Sequence, residues 1–390
     1  MGFITEMKDL LKKNIRDYGM YIALVVIMAV FAVLTDGTFI SSRNISKLID
    51  ATGYIAVLAV GMTLVIVIRH IDLSVGFAAG FLGAVAAILL TSAKLPVVVV
   101  VPIILVLGIV VGLLTGFFVA RVGIPAFVAS LAGMLIYRGA LLQVTQKTGT
   151  IIVPNASFNA IGNGYIPDIA ILPNNHFITL VLGALAIVFM VISESNTRRN
   201  KVKYNFEVVS GTIFAIKLVF VSLIIAYISF ILSQFNGLSW TTVIVIVVTA
   251  IYHFVTNRTV VGRHIYAVGG NPEAAKLSGI SVKAITFLVF GSMGLLTAMS
   301  GILYTARLQS ATTTAGTLFE LDAIAAAYVG GVSAAGGVGK VTGSIIGALV
   351  MASLISGMNL MGVDISWQYI IRGAVLVLAV VFDVMTRNKK

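Results

Sequence analysis

Apolar runs of membrane-spanning length recur along this chain, near 19–35, 51–68, 73–93, 97–120, 123–143, 176–193, 211–233, 241–256, 284–305, 320–335, 341–358 and 367–384. A helix needs about 20 apolar residues to cross a bilayer core, and an open sheet would leave its backbone unsatisfied in lipid. The pattern predicts an all-α polytopic membrane protein of about twelve transmembrane helices, forming a single transmembrane domain over 1–390. The tenth run holds Gly330, Gly331, Gly336, Gly337 and Gly339 and is expected to be short or broken. Only 10% of residues are charged, against about 25% in a soluble domain. The first run is longer than the core of a signal peptide, and no small-x-small cleavage pattern follows it, so it reads as the first span.

The net charge of +12 points to membrane topology rather than to nucleic acid. With the amino end inside and spans alternating, the inner segments hold Lys8, Lys12, Lys13, Arg16, Arg69, Arg121, Arg198, Arg199, Lys201, Lys203, Arg258, Arg263, Lys276, Lys283, Lys340, Arg387, Lys389 and Lys390. The outer segments hold only Arg43, Lys47, Lys94, Lys147 and Arg307. Basic residues gather in cytoplasmic loops, so both termini are expected in the cytoplasm and the chain in the cytoplasmic (inner) membrane. Cysteine is absent and the four histidines are far apart in sequence, which excludes thiol chemistry and argues against a metal site. No cofactor signature occurs.

Two loops stand out. Residues 144–175 form an external loop containing Pro154, Pro167 and Pro173. Residues 257–283 form a cytoplasmic loop carrying Gly270, Asn271, Pro272, Glu273, Ala274, Ala275, Lys276, Leu277, Ser278 and Gly279. Asn271 suits an N-cap, Pro272 the first helical position, Glu273 the positive end of the helix dipole, and Gly279 a left-handed C-cap. The stretch predicts a small rigid helix, alone in its loop, that either presents a docking surface to a cytoplasmic partner, with Ala275 on that surface, or is a plain structural connector.

Small residues at four-residue spacing (Gly108, Gly112, Gly116, Ala120) predict a close helix contact for the fourth span. Gly76 with Gly80, and Gly343 with Gly347, repeat the device. Ionisable residues at membrane depth are costly and are functional candidates. Asp72 and Ser74 lie where the second run meets the third; they can cap the next helix or line a pathway or gate. Glu320 and Asp322 open the tenth run, where acidic groups also suit a helix start. Asn359 completes this tentative pathway set. Arg138 and Arg372 fall within spans, and can snorkel, pair with Asp322 or Asp364, or face a polar cavity. Lys217, near the inner end of its span, is expected to snorkel.

Gly337–Val338–Gly339–Lys340–Val341 imitates a phosphate loop but fails: Ala334 stands where its first glycine belongs, and Val341 replaces the Ser or Thr. If ATP drives transport, a separate subunit must bind it.

Several ordered motifs together resemble the membrane subunit of bacterial ABC importers for monosaccharides, the ribose/xylose/galactose permease family. They are Gly61–Ile66 with Ile71–Gly76, Gly262–Asn271 running into Ala274–Ala275 and Leu277–Ile280, Ala315–Gly316 with Glu320–Ala326, Gly330–Gly331 through Gly336–Gly339, and Gly357–Val363. The likeness covers roughly 19–145 and 241–384. It implies a homodimer in membrane lipid, an external sugar-binding protein, a separate ABC ATPase, and a role for the 257–283 loop in coupling to that ATPase. It also implies a core of about ten helices. Here 176–240 adds a two-helix insertion joined by Asn196–Lys203, as in the xylose and multiple-monosaccharide branch, and no function is assigned to it. Other readings are a proton- or sodium-coupled secondary sugar transporter, an ABC permease for nucleosides or another small polar solute, and a channel or scaffold without coupling. A proton-driven carrier would favour acids buried mid-span, whereas Asp72, Glu320 and Asp322 are placed at span ends.

Overall fold

A computed structural model of the chain describes residues 15–146, 149–169, 171–206 and 208–387. Lys8, Lys12, Lys13, Lys147, Lys389 and Lys390, all used in the charge argument, lie outside the described residues. The helices are α1 (Ile15–Leu34), α2 (Ser42–Val67), α3 (Val75–Thr91), α4 (Val97–Phe117), α5 (Ala126–Thr145), α6 (Ala156–Asn163), α7 (Phe177–Lys203), α8 (Gly211–Ser233), α9 (Trp240–Arg258), α10 (Val260–Gly270), α11 (Pro272–Leu277), α12 (Val282–Leu308), α13 (Phe319–Val329), α14 (Val341–Leu360) and α15 (Ile365–Arg387). Among the described residues nine helices are long and apolar enough to cross a membrane, with two shorter apolar ones in Gly19–Leu34 and Val75–Thr91. Eleven of the twelve apolar runs therefore coincide with such helices. The tenth does not: α13 has 11 residues and ends at Val329, where the glycines at 330 and 331 take over.

The chain falls into two compact units. Among the described residues the larger comprises 16–39, 48–146, 149–164 and 240–387 and centres on α12, which packs along α4 and α3. The predicted glycine stripe makes this seam. A side chain at Gly108 would strike Ala298 and the Gly294 carbonyl, one at Gly112 the Phe290 carbonyl, and one at Gly294 would come within 2.7 Å of the Gly112 Cα. Gly76 and Gly80 lie against Gly316 and Ala315, and Gly343 and Gly347 against Gly330 and Ala326. All three stripes are packing faces, because only glycine lets backbones meet this closely.

The larger unit is also consistent with alternating spans. Segments assigned outside meet each other: β1 (Thr150–Ile152) pairs antiparallel with β2 (Ser310–Thr312), Thr150 opposite Thr312, and Asn163 Nδ2 donates to the Ala306 carbonyl at 2.8 Å. The 144–175 loop is thus partly structured, with Asn155 capping α6 through the Phe158 amide at 3.0 Å. Segments assigned inside also meet, at the end of α2, the end of α10 and the 330–340 loop.

Among the described residues the smaller unit comprises 15, 40–47, 165–169, 171–206 and 208–239 and is dominated by α7 packed against α8. The stretch 196–203, expected as a connecting loop, continues α7 to Lys203. Its Arg and Lys residues are good helix formers, and the turn falls after Tyr204 instead. Lys217 meets Glu194 at 2.9 Å across this hairpin rather than simply snorkelling.

Candidate coupling element and intramembrane polar groups

The 257–283 loop builds its short helix from local signals. Asn271 Oδ1 accepts from the amides of Glu273 and Ala274, each at 3.0 Å. Pro272 occupies the first position of α11 and Glu273 its first turn. At the other end Gly279 takes φ +83, which lets the Ile280 amide reach back to the Ala275 carbonyl at 3.0 Å, and the Ser278 hydroxyl donates to the Ala274 carbonyl at 2.9 Å. Both ends of a six-residue helix are therefore closed, as the sequence predicts.

Two features differ from the sequence reading. First, α11 is not alone. The helix α10 runs directly into it, started by Thr259 Oγ1 accepting from the Gly262 amide at 3.2 Å. Its signal was present in Val261, Ile265 and Val268, spaced four and three apart, of which Ile265 and Val268 are buried. Second, Ala275 faces inward at 4% exposure and belongs to the core, not to the exposed side of α11. The outward residue is Leu277, 90% exposed, with Gly270, Glu273, Ala274, Ser278 and Gly279 also on the open side.

A hydrogen-bonded junction ties α10 to the core. Arg69, at φ +67 just after α2, donates from Nε to the Gly269 carbonyl at 2.7 Å and from Nη2 to the Gly270 carbonyl. The Gly337 amide donates to the Val67 carbonyl at 2.8 Å. The Tyr266 hydroxyl donates to the Gly339 carbonyl at 2.6 Å, and burial pushes that phenol's pKa up. A side chain at Gly269 would collide with the Val67 carbonyl, and one at Gly337 would come within 2.8 Å of the Gly270 Cα. Nothing in the spacing of these segments reveals the junction, since its members are about 200 and 70 residues apart in sequence.

The intramembrane polar groups fall into separate contacts. Asp72 Oδ1 accepts from the Ser74 amide at 2.9 Å and its hydroxyl at 2.6 Å, so the buried Asp72 and Ser74 form the turn that starts α3. Glu320 is 6% exposed; its carboxylate lies against Gly76, and Oε2 has no hydrogen-bond partner. Asp322 pairs with Arg372 at 3.7 Å, beside a cavity of about 390 Å³ that also meets Tyr369, Leu318 and Met351. Of the alternatives for Arg372, pairing with Asp322 holds; Asp364 is engaged by Ser366, whose amide donates at 2.8 Å and, with the hydroxyl, holds the carboxyl below its usual pKa. Arg138 stacks over Phe77 at 5.4 Å. Asn359 accepts from Gln368 Nε2 at 2.9 Å, one turn of α15 from Arg372. Among the described residues no cluster of metal-ligating side chains occurs.

The depth of Glu320 and Asp322 follows from aromatic contacts. Phe319, the first residue of α13, packs on Tyr54 and Tyr304 with ring centroids 4.8 Å apart. Tyr54 stands about 18 Å from one end of α2 and about 20 Å from the other. The half-length helix α13 therefore begins midway along a spanning helix, a device transport proteins use to place polar groups at mid-depth.

Spanning helices and a half-helix opening on acids at mid-depth define a polytopic transport protein, with a short capped helix joined to its core. A family model described as branched-chain amino acid transport system / permease component matches residues 44–198 and 169–380. The chain belongs to this family and is the permease subunit of an ABC importer; it is not itself the catalyst, and the family implies ATPase and binding-protein partners. It is 39% identical over 378 residues to the xylose transport system permease protein XylH of Haemophilus influenzae, across 97% of this chain and 98% of the relative. It is 38% identical over 388 residues to XylH of Escherichia coli K12, across 100% and 96%. The ribose import permease protein RbsC of H. influenzae is 33% identical over 373 residues, across 95% and 94%. No solved structure matches the chain.

Proposed function

We propose that the chain is the translocation subunit of an ATP-driven importer of a monosaccharide, xylose first, working as a homodimer in the cytoplasmic membrane with both termini inside. An external sugar-binding protein delivers the sugar and an ABC ATPase docks on α11. The observation that carries the coupling assignment is α11 itself: capped at both ends, joined to the core through α10, and offering Leu277 almost wholly to solvent. Covering so exposed an apolar side chain with a partner's groove would remove its surface from water, which is favourable. The sugar assignment is supported by two XylH relatives matched along nearly their whole length.

Glu320 and Asp322 are retained as pathway residues, because α13 starts at mid-depth and Asp322 and Arg372 meet a concave, mostly apolar cavity of the kind that holds small ligands. Asp72 and Ser74 are assigned to helix initiation, and Asn359 to the α14–α15 contact. The test is to purify the chain with its membrane and ask whether an ATPase and a solute-binding protein accompany it, then to screen the binding protein by thermal shift against a sugar panel. Xylose as the strongest stabiliser is the expected result. Uptake driven by a proton or sodium gradient without ATP would overturn the assignment, and a nucleoside as strongest ligand would overturn the sugar.

A further inference from the structure

We propose that Arg69 is a positioning residue for coupling, the strut through which movement of the α10–α11 loop reaches the end of α2 and the 330–340 loop that leads into α14. The proposal rests on α11 being the ATPase contact. The last carbonyls of α10 have no partner within their own helix, and the Arg69 fork takes the final two, Gly269 and Gly270. A guanidinium binds them as a planar, fixed-geometry pair, which a flexible ammonium cannot reproduce. Arg69 holds this pose from a left-handed backbone, φ +67, a conformation that non-glycine residues keep only where surroundings enforce it.

The same junction closes on a third element. Val67, two residues before Arg69, accepts from the Gly337 amide, and Gly336, at φ +79, packs its backbone against the Arg69 stem. Gly269 has no space for a side chain against Val67, so α10 and α2 touch backbone to backbone. A displacement of α11 therefore cannot be absorbed by bending side chains. It passes into α2, whose midpoint carries Tyr54 against the start of α13, and into the loop that leads to α14. Arg69 is itself exposed, so removing its head group leaves no buried charge behind.

The experiment uses the permease, its ATPase and its binding protein together in proteoliposomes, with xylose as the probe. Three quantities are read: ATPase recovered with the permease, ATP hydrolysed, and sugar accumulated per ATP. Arg69→Gln is expected to retain the ATPase and hydrolyse ATP while sugar per ATP falls at least tenfold, and Arg69→Lys to recover part of that loss. A wild-type ratio in Arg69→Gln overturns the proposal. So does loss of ATPase binding, which would make Arg69 a support for the docking surface alone. Should Arg69→Gln prove unstable, Arg69→Cys with Gly270→Cys serves, because the chain has no other cysteine. Bridging that pair with a short bismaleimide is expected to restore the ratio, and failure to restore it overturns the strut. Leu277→Ala in the same assay separates the two ideas: ATPase binding unchanged there removes the docking assignment itself.

Discussion

Replacing Leu277 with Ala isolates the docking contact from the fold. Leu277 is 90% exposed, so truncating it removes almost no contact within the permease, and such surface changes stay within about 0.5 kcal/mol of stability. If the ATPase buries the side chain, the three carbons lost at about 0.8 kcal/mol each amount to about 2.4 kcal/mol, which is roughly fiftyfold in Kd. Ala275→Asp gives the opposite pattern. That residue is 4% exposed in the core, and an uncompensated buried charge costs on the order of 3–5 kcal/mol. Thermal unfolding in detergent should therefore leave Leu277→Ala at the wild-type Tm and lower Ala275→Asp sharply. Titration of the purified ATPase onto immobilised permease should show the affinity loss in Leu277→Ala. An affinity within twofold of wild type would refute the reasoning, because no other side chain of α11 is so exposed and apolar.

Three further outcomes are expected. Gly279→Val meets no atom within 4 Å but must adopt φ +83, so it costs conformation alone, on the order of 1–2 kcal/mol; ATPase recovery should fall while sugar binding by the external protein is untouched, and normal recovery would count against the cap. The amides of Ile178 and Phe177, at 2.8 and 3.0 Å, hold the Asp168 carboxyl below its ordinary value of 3.8. Its stabilising effect is thus full above pH 3.8 and is lost as pH falls through the lower folded value; the protection of those two amides from hydrogen exchange, relative to free amides at the same pH, should fall in that acid window, and Asp168→Asn should abolish that change in protection. A cysteine at exposed Asn200 should resist an impermeant thiol reagent in intact cells while one at exposed Ala156 reacts; Asn155 is a poorer site because it caps α6, and labelling at Asn200 from outside would invert the topology.

What could be read from sequence was local. Eleven apolar runs marked helices because lipid demands uninterrupted apolar length, and Asn271, Pro272 and Gly279 marked both ends of α11 because caps act within a few residues. The inward turn of Ala275 escaped notice because six residues are too few for a helical period to reveal its buried face. The polar beginning of α2, with Arg43, Asn44 and Lys47, hid nine residues of helix from a hydropathy reading, and the charged end of α7 hid ten. Arg69 was legible only as an inner-side charge: its partners are backbone carbonyls about 200 residues away, and any sequence supplies carbonyls. The same limit applied to Glu320 and Asp322. Their acidity was visible, but the mid-depth start of α13 depends on Tyr54 and Tyr304, which only the folded chain brings to Phe319.

The seam between α4 and α12 has a mechanical consequence. Where Gly108, Gly112 and Gly294 place main chain on main chain, there are no rotamers to exchange and no compressible layer to shear. Two helices joined in this way must travel through a transport cycle as one beam. Opening and closing of the sugar route then has to be accommodated at boundaries cushioned by flexible side chains, such as Leu321, Met351 and Leu376 around the cavity between α13, α14 and α15. The permease can thus be viewed as a stiff frame with a compliant flank, and the distribution of glycine against methionine and leucine sets which part yields.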